Sequence, residues 1–414
     1  MKLLSGLFRR FIRKGTLHVI DAKGTLHTFS GTPEEPVVTI RIHDKSLYNK
    51  LFFNPELHVG EAYMDGDLTF EDGSTCYDFI HLFSINRAGL AAHPIQNLLR
   101  HVWKAMKGID QYNPIGKALK NVSHHYDISE DLYRLFLDDD LQYSCAYYRS
   151  PDDTLEQAQL NKKRHVLAKL RIEDGMKVAE IGCGWGGLAI FLAQQADIEV
   201  TGVNPSIEQI RVARARAKAL GLENRVKFEH IDYRQLQGTY DRVISIGMFE
   251  HVGVNHYDEF FAKMKSLMKE DGICLLHSVG RNAPPGTMSP FLRKYIFPGA
   301  YAPSLSEVIS AVERQHLWHA DCEILRMHYF YTLGDWHSRF RANWHKAAEI
   351  YDERFCRMWE FYLVSTQLAF LNGSAMVFQL VLANDRETVP IVRDYMVDDE
   401  RALMAGERMK IAHT

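Results

Sequence analysis

The sequence predicts an α/β protein whose larger part is a doubly wound, mostly parallel sheet, preceded by a smaller α+β region. Three observations carry that expectation. Val178-Ala179-Glu180-Ile181 is a short apolar run that enters the glycine-rich Gly182-Cys183-Gly184-Trp185-Gly186-Gly187, and Leu188-Ala189-Ile190-Phe191-Leu192-Ala193 follows. That order reads as strand, tight turn and helix, the unit that brings backbone N–H groups close to a nucleotide-like ligand. Beyond it, short apolar runs alternate with helical patterns, as a parallel sheet with crossover helices requires. Residues 16–72, by contrast, hold short strands and turn signals.

Composition narrows the classes. The chain has 414 residues, 24% charged and 46% hydrophobic, with a net charge of −3. There is no global basic field of the kind that nucleic acid attracts, so no nucleic-acid partner is expected. The six cysteines (76, 145, 183, 274, 322, 356) form no C-x-x-C pair and read as reduced thiols. No metal is expected. No apolar run approaches the roughly 20 residues that span a bilayer. The nearest, residues 370–383, is interrupted by Asn372, Gly373, Ser374 and Gln379. A secretory signal is not recognisable, which leads to an expectation of a cytoplasmic protein.

Residues 1–15 place Leu3, Leu4, Leu7, Phe8, Phe11 and Ile12 on one face of a helix, with Lys2, Arg9, Arg10 and Arg13 opposite. Such a basic amphipathic helix either packs on its own domain or lies on an anionic membrane, and the helix alone leaves both readings open. Residues 17–20 and 26–29, joined by Asp21-Ala22-Lys23-Gly24, predict a hairpin, and 37–42 a further strand. Helices follow at 45–53 and 76–86, and 60–68 between them reads as turn-rich. The expected division is a small α+β domain for lipid binding or dimerisation at 1–107, a linker at 108–120, and a catalytic domain at 121–414.

Residues 141–148 hold aromatic Tyr143, Tyr147 and Tyr148 beside Ser144 and Cys145, an apolar content unusual for a loop. Further strands are expected at 177–183, 199–205, 226–231, 242–248, 272–279, 322–329 and 375–383. Helices are expected at 185–195, 206–220, 256–269 and 304–317, with a helical block at 335–370. Arg211, Arg214, Arg216 and Lys218 read as a solvated helix face. The tail from Asn384 is polar and uninformative.

Ligands of open α/β sheets bind at the carboxyl ends of the strands. That rule gathers the glycine turn with Asn204, Asp232, Tyr233, Glu250, His251 and His277. Gly182, Gly184 and Gly187 also fit the dinucleotide pattern G-x-G-x-x-G, so a nicotinamide oxidoreductase is one reading. Glu180 just before the first glycine favours S-adenosylmethionine, and Asn204, where an acidic ribose ligand belongs, counts against NAD but is unusual for either cofactor. Asp232 is either a helix cap or an adenine contact, and Gln209 can reach a ribose.

Five segments then occur in order: H-Y-D-I-S at 125–129, D-L-Q-Y-S-C-A-Y-Y at 140–148, E-I-G-C-G-W-G-G at 180–187, G-M-F-E-H-V-G at 247–253 and L-L-H-S-V-G at 275–280. Together they resemble the cyclopropane fatty acid synthase family, which includes the mycolic acid cyclopropane synthases. The resemblance covers about residues 121–383 and extends to the N-terminal domain. It implies a seven-stranded, Rossmann-like S-adenosylmethionine-dependent methyltransferase domain whose last strand is antiparallel. Tyr143 and Ser144 would close over the cofactor, beside Gly182, Gly184, Asn204, Gln209, Asp232 and Tyr233. A bicarbonate ion would act as base, held by Cys145, Glu250, His277, Tyr329 and a backbone contact at Val279.

The implied reaction adds a methylene bridge to cis double bonds of phospholipid acyl chains. The alternative is methyl transfer without ring closure, giving branched or methylene products. Apolar residues from 123–148 and the C-terminal helices would line the acyl pocket. Phe291, Tyr295, Ile296 and Phe297, beside Arg281, Arg293 and Lys294, read as an aromatic and basic rim for a head group. The expected partners are a phospholipid bilayer, met peripherally on the inner face of the cell membrane, and a second copy in a homodimer.

Overall fold

The computed structural model describes residues 1–87 and 129–406. The expected linker at 108–120, and residues 123–128 of the first motif and acyl pocket, lie outside the described residues. The chain forms two compact units. One joins the N-terminal residues to Thr287–Pro298 and Leu333–Ser374; the other holds Gly299–Thr332 and the rest of the chain. Among the described residues no helix is long and apolar enough to cross a membrane.

The first unit contains a four-stranded sheet of order β2-β1-β3-β4, made of β1 (Lys14–Ile20), β2 (Leu26–Ser30), β3 (Thr32–Ile42) and β4 (Leu68–Glu71). The expected hairpin is β1 and β2, paired antiparallel. Its turn is held by Asp21 Oδ1, which accepts from the N–H groups of Lys23 (2.9 Å) and Thr25 (3.0 Å). Helix Lys2–Phe11 forms where expected, but its apolar face turns inward. Leu4, Leu7, Phe8 and Phe11 are buried, with Phe8 against Phe29 and Phe11 against Phe83. That face therefore is not available to a bilayer, and the outward residues are Leu3 and the basic side chains.

Two further expectations change here. Residues 60–68 are not a turn. Pro55 opens a helix, Pro55–Asp65, that ends on Gly66 in the left-handed conformation (φ 78°), and β4 follows. Gly60 serves packing: a Cβ there would lie 2.4 Å from the Phe291 ring. The second change is the expected head-group rim. Phe291 and Ile296 are buried, and Phe291 packs edge-on against Phe361. Lys294 Nζ and Tyr295 Oη both donate to Glu61 Oε1, at 2.6 and 2.8 Å. In the other unit, Arg281 donates to Ala302 O at 2.8 Å. Phe291 and Ile296 therefore serve packing, while Arg293 and Lys294 stay exposed.

The second unit is built on seven strands: β5 (Lys177–Ile181), β6 (Glu199–Val203), β7 (Val226–Glu229), β8 (Tyr240–Ile246), β9 (Met268–Arg281), β10 (Trp318–Leu325) and β11 (Ala375–Ala383). Their order is β10-β11-β9-β8-β5-β6-β7, with β5 to β9 parallel and β11 antiparallel to both its neighbours. Both faces are covered, so the strands are apolar on both sides. Val178, Leu275 and Val381 face helices Leu155–Leu170, Gly187–Gln195 and Ile207–Ala219. Ala179, Leu276 and Leu380 face helices Tyr257–Leu267 and Leu305–Arg314.

The expected strand 322–329 ends earlier, at Leu325, which pairs with Val377. Strand β11 begins at Ala375, so the chain soon runs out of a partner, and Tyr329 falls in the first turn of helix His328–Ala342. In this unit, helices Leu155–Leu170 and Asp394–Ala405 were not foreseen. Leu155–Leu170 lies on the sheet and buries Gln159, Lys162, His165 and Lys169, which hides the usual apolar stripe. The polar tail forms helix Asp394–Ala405, whose Glu400 meets His165 Nδ1.

The packing of Gly60 is testable. Gly60→Ala forces a methyl group into the Phe291 ring, and overpacking of this kind costs about 1–3 kcal/mol. A chemical denaturation midpoint equal to wild type would show that the ring has room to move.

Candidate active site

The glycine turn sits where the order of the sheet reverses. From β5 the chain builds outward through β6 and β7, then returns to the other side with β8 and β9. Crevices at such points, outside the carboxyl ends of the strands, receive ligands. Gly182, Gly184 and Gly186 all have positive φ (82°, 50° and 80°) and lead into the helix starting at Gly187. A Cβ on Gly182 would lie 2.8 Å from Met248, and one on Gly187 would lie 2.4 Å from Gln142 Nε2. At Gly184 nothing lies within 4 Å, so the turn leaves open space there.

That space belongs to one pocket. All eight residues expected at the cofactor line it: Tyr143 and Ser144, Gly182 and Gly184, Asn204 and Gln209, Asp232 and Tyr233. His251 and Trp185 line it too. The polar groups are positioned from within. Asn204 donates to Gln209 Oε1 at 2.7 Å and accepts from the Ser206 N–H at 2.9 Å. Asp232 caps the short 3-10 turn Tyr233–Gln235 and is held at 2.8 Å on each oxygen by Arg234. The cap and the pocket wall are thus one residue, whose carboxylate has lone pairs left to accept more. Glu180 is buried with Oε2 unmatched by any protein group, and burial pushes its carboxyl up to about 8 against the pull of Lys162.

The loop carrying Tyr143 and Ser144 is anchored by residues that sequence reading passed over. Lys162 Nζ donates to Gln142 Oε1 (2.6 Å) and Ser144 Oγ (2.8 Å), and burial lowers the ammonium to about 8. Gln159 Nε2 donates to the carbonyls of Gln142 (3.2 Å) and Ser144 (3.0 Å). Asp140 pairs with Lys163 (2.6 Å) and Arg216. Arg216 also donates to Trp185 O at 2.8 Å, so this arginine ties the loop to the glycine turn and is not part of a solvated face. Leu141, buried, has φ 57°, backbone strain of the sort that persists where surroundings over-determine a site. The available clue was three basic residues, Lys162, His165 and Lys169, at spacings that share one helix face.

The five residues expected to hold the base all lie in this second unit. Glu250 follows β8 and His277 lies near the end of β9. The Val279 N–H donates to Glu250 Oε1 at 2.5 Å, so the expected backbone contact of Val279 is made to this carboxylate. Glu250 Oε2 is buried with no protein partner, and burial raises the carboxyl to about 7. His277 is buried and neutral, its basicity strongly reduced by desolvation and by neighbouring Lys162 and Lys169; Gln379 Nε2 meets its Nδ1 at 3.1 Å. Cys145 is buried, its thiol pushed far up, and Sγ donates to Ala146 O at 3.3 Å. The next residues join it to Tyr329's helix: Ala146 N–H donates to Thr332 Oγ1 (3.1 Å) and Tyr148 N–H to His328 Nδ1 (3.0 Å). Lys162 acts electrostatically on both Cys145 and His277.

The sheet order, the glycine turn at its switch point and the acceptors around it define an S-adenosylmethionine-dependent methyltransferase fold. Residues 115–380 match the model of the mycolic acid cyclopropane synthetase family. The chain is 36% identical to the cyclopropane-fatty-acyl-phospholipid synthase of Escherichia coli over 354 residues, 84% of this chain and 88% of that one. It is 31% identical to a tuberculostearic acid methyltransferase of Mycobacterium tuberculosis over 396 residues, 92% of this chain and 90% of the other. A solved mycolic acid cyclopropane synthase complexed with SAH and CTAB superposes with a TM-score of 0.62 at 30% identity, covering 66% of this chain and 99% of that one. The protein belongs to the mycolic acid cyclopropane synthetase family.

Gly184 offers a direct test of the pocket. Gly184→Leu projects a side chain into the open space, while the left-handed backbone costs roughly 1–2 kcal/mol, too little to unfold a large domain. Calorimetric titration with S-adenosylhomocysteine is expected to show no binding by the folded variant. Unchanged affinity would move the cofactor elsewhere.

Proposed function

We propose that this enzyme transfers a one-carbon unit from S-adenosylmethionine to cis double bonds of unsaturated phospholipid acyl chains, giving cyclopropane rings and S-adenosylhomocysteine. The observation that carries this reading is Glu250. It has a buried oxygen that no protein group satisfies, while its neighbours Met248, His251 and Val252 line the cofactor pocket. Buried polar atoms are normally matched, so an open one beside the pocket supports a polar ligand at this place.

An alkene is a poor nucleophile, and its alkylation places positive charge on carbon. The site must exclude water, and aromatic faces can stabilise the cation through their quadrupole. Tyr133 packs edge-on to both Tyr143 and Trp185, at 5.1 and 5.7 Å, and so orients the two rings that line the pocket. When bound, S-adenosylmethionine supplies the methyl group and a bicarbonate ion the base that removes the proton for ring closure. Cys145, Glu250, His277 and Tyr329 would hold that ion, with the Val279 N–H committed to steadying Glu250. Their types fit an oxyanion: a protonated thiol, a phenol and a neutral imidazole can each donate a hydrogen bond. Glu250 Oε2 is an open acceptor for the ion's own proton, which raises its basicity.

The tuberculostearic acid relative favours a second reading, in which the same site transfers the methyl group and the ring does not close. The product distinguishes the two. Fatty-acid methyl esters from a host expressing the chain are expected to gain one methylene unit on monounsaturated acids and to fragment as rings. Glu250→Gln is expected to lower turnover by roughly 10²–10⁴ with cofactor affinity unchanged, because it disturbs proton removal alone. Methyl-branched esters would select the second reading, and a full rate in Glu250→Gln would place the base elsewhere.

The first unit we assign to the membrane surface. With its apolar face buried, helix Lys2–Phe11 can offer a bilayer only Leu3 and the exposed charges of Lys2, Arg9 and Arg10, joined by Arg13 and Lys14 beyond its end. Contact is then electrostatic, worth about 1 kcal/mol per basic residue at an anionic leaflet and screened by salt. Reversing Arg9, Arg10 and Arg13 to Glu is expected to abolish sedimentation with anionic vesicles at low salt. Equal binding by wild type and variant would remove this surface from the membrane contact.

A further inference from the structure

Across the face of the sheet beneath helix Leu155–Leu170, one row is polar where its neighbours are apolar. Glu323 on β10 pairs in register with Gln379 on β11, and Gln379 pairs in register with His277 on β9. Lys169 stands over the row, its Nζ donating to Glu323 Oε2 at 2.5 Å and to Gln379 Oε1 at 2.7 Å. Lys169, Gln379 and His277 are all essentially inaccessible to solvent.

The chemistry of these groups leaves one arrangement of protons. Burial alone would raise the Glu323 carboxyl, but His165 and Lys169 hold it well below its usual range, so it is ionised. An ammonium beside it has donors and no acceptor, so the end of the Gln379 amide facing Lys169 must be its oxygen. The other end, the NH₂, faces His277 Nδ1 at 3.1 Å and can only donate. His277 Nδ1 must therefore accept, and a neutral imidazole that accepts at Nδ1 carries its single proton on Nε2. The partners alone fix both the amide orientation and the ring tautomer.

We infer that Lys169 and Gln379 are positioning residues that fix His277 as the Nε2–H tautomer, presenting a hydrogen-bond donor to an oxyanion at the active site. Resting on the reading of His277 as a ligand of the base, this explains why a lysine is buried so completely 210 positions from its glutamine partner. An imidazole with the opposite tautomer would offer the anion a lone pair and repel it. The lysine sets the amide, and the amide sets the ring.

The test reads the tautomer directly. Full-length protein labelled with ¹⁵N-histidine gives separate resonances for protonated and bare ring nitrogens, and His277 is identified by the signals missing from His277→Asn. In the wild type, Nδ1 of His277 is expected to be bare and Nε2 protonated. Gln379→Glu keeps an acceptor for Lys169 but turns the donor facing the ring into an acceptor, so Nδ1 is expected to gain a proton. Turnover on cis-unsaturated phospholipid vesicles should then fall roughly 10–100-fold, the usual penalty for losing a residue that orients a ligand, at unchanged S-adenosylhomocysteine affinity. A protonated Nδ1 in the wild type, or a bare Nδ1 in Gln379→Glu, overturns the assignment. A switched proton with a full rate overturns the positioning role. The wild-type spectrum decides the tautomer even when the variant does not fold. It also needs no turnover, so a chain that makes no cyclopropane ring would refute the proposed reaction and leave the tautomer standing.

Discussion

Three basic side chains on one buried helix face constrain this active site more than any other feature. Lys162, His165 and Lys169 of helix Leu155–Leu170 are carried into the interior of the second unit, where each must meet an acceptor. Breaking a buried pair costs roughly 3–5 kcal/mol, a large share of the 5–15 kcal/mol that holds a domain folded. The acceptors they meet belong to functional segments. Lys162 holds Gln142 and Ser144 of the cofactor loop, and Lys169 holds Gln379 beside His277. The need to satisfy these buried polar groups thereby couples the pocket wall to His277 through a single helix.

The sheet supplies the second condition. Reversal of strand order beside β5 opens a crevice that no local sequence specifies, and the glycine turn is the part of the chain able to enter it without side-chain obstruction. At Gly182 and Gly187 a side chain would meet Met248 and Gln142, whereas Gly184, in the left-handed conformation, faces open space. Residues distant in sequence, such as Asn204, Asp232 and Met248 after β6, β7 and β8, line one pocket because strands in a parallel sheet all end at the same edge.

Regular elements with clean periodicity were legible in advance. The sheet strands and their crossover helices fall within a few residues of expectation, since a strand buried on both faces must be a continuous apolar run. Elements whose surroundings differ from the rule were not. Helix Leu155–Leu170 escaped because its buried face is basic, and helix Pro55–Asp65 because Gly60 and Gly66 read as turns when only Gly66 ends the helix. The apolar stripe of Lys2–Phe11 was visible, but its destination was not. A stripe of Leu and Phe satisfies a sheet as well as a bilayer, and here Phe29 and Phe83 claim it.

By itself the sequence determined the class of fold, the glycine turn and the order of five motifs, because these depend on local geometry and on residue types that few other sites tolerate. It also named Glu250 and His277, whose polarity at strand ends is unexplained by packing. The tertiary structure alone decided how those groups are held. Strand register puts Gln379 beside His277, and helix packing puts Lys169 over Gln379. A hydrogen bond between groups a hundred residues apart leaves no periodic trace in the chain, and the proton on a histidine is set by whichever group the fold brings to its other nitrogen.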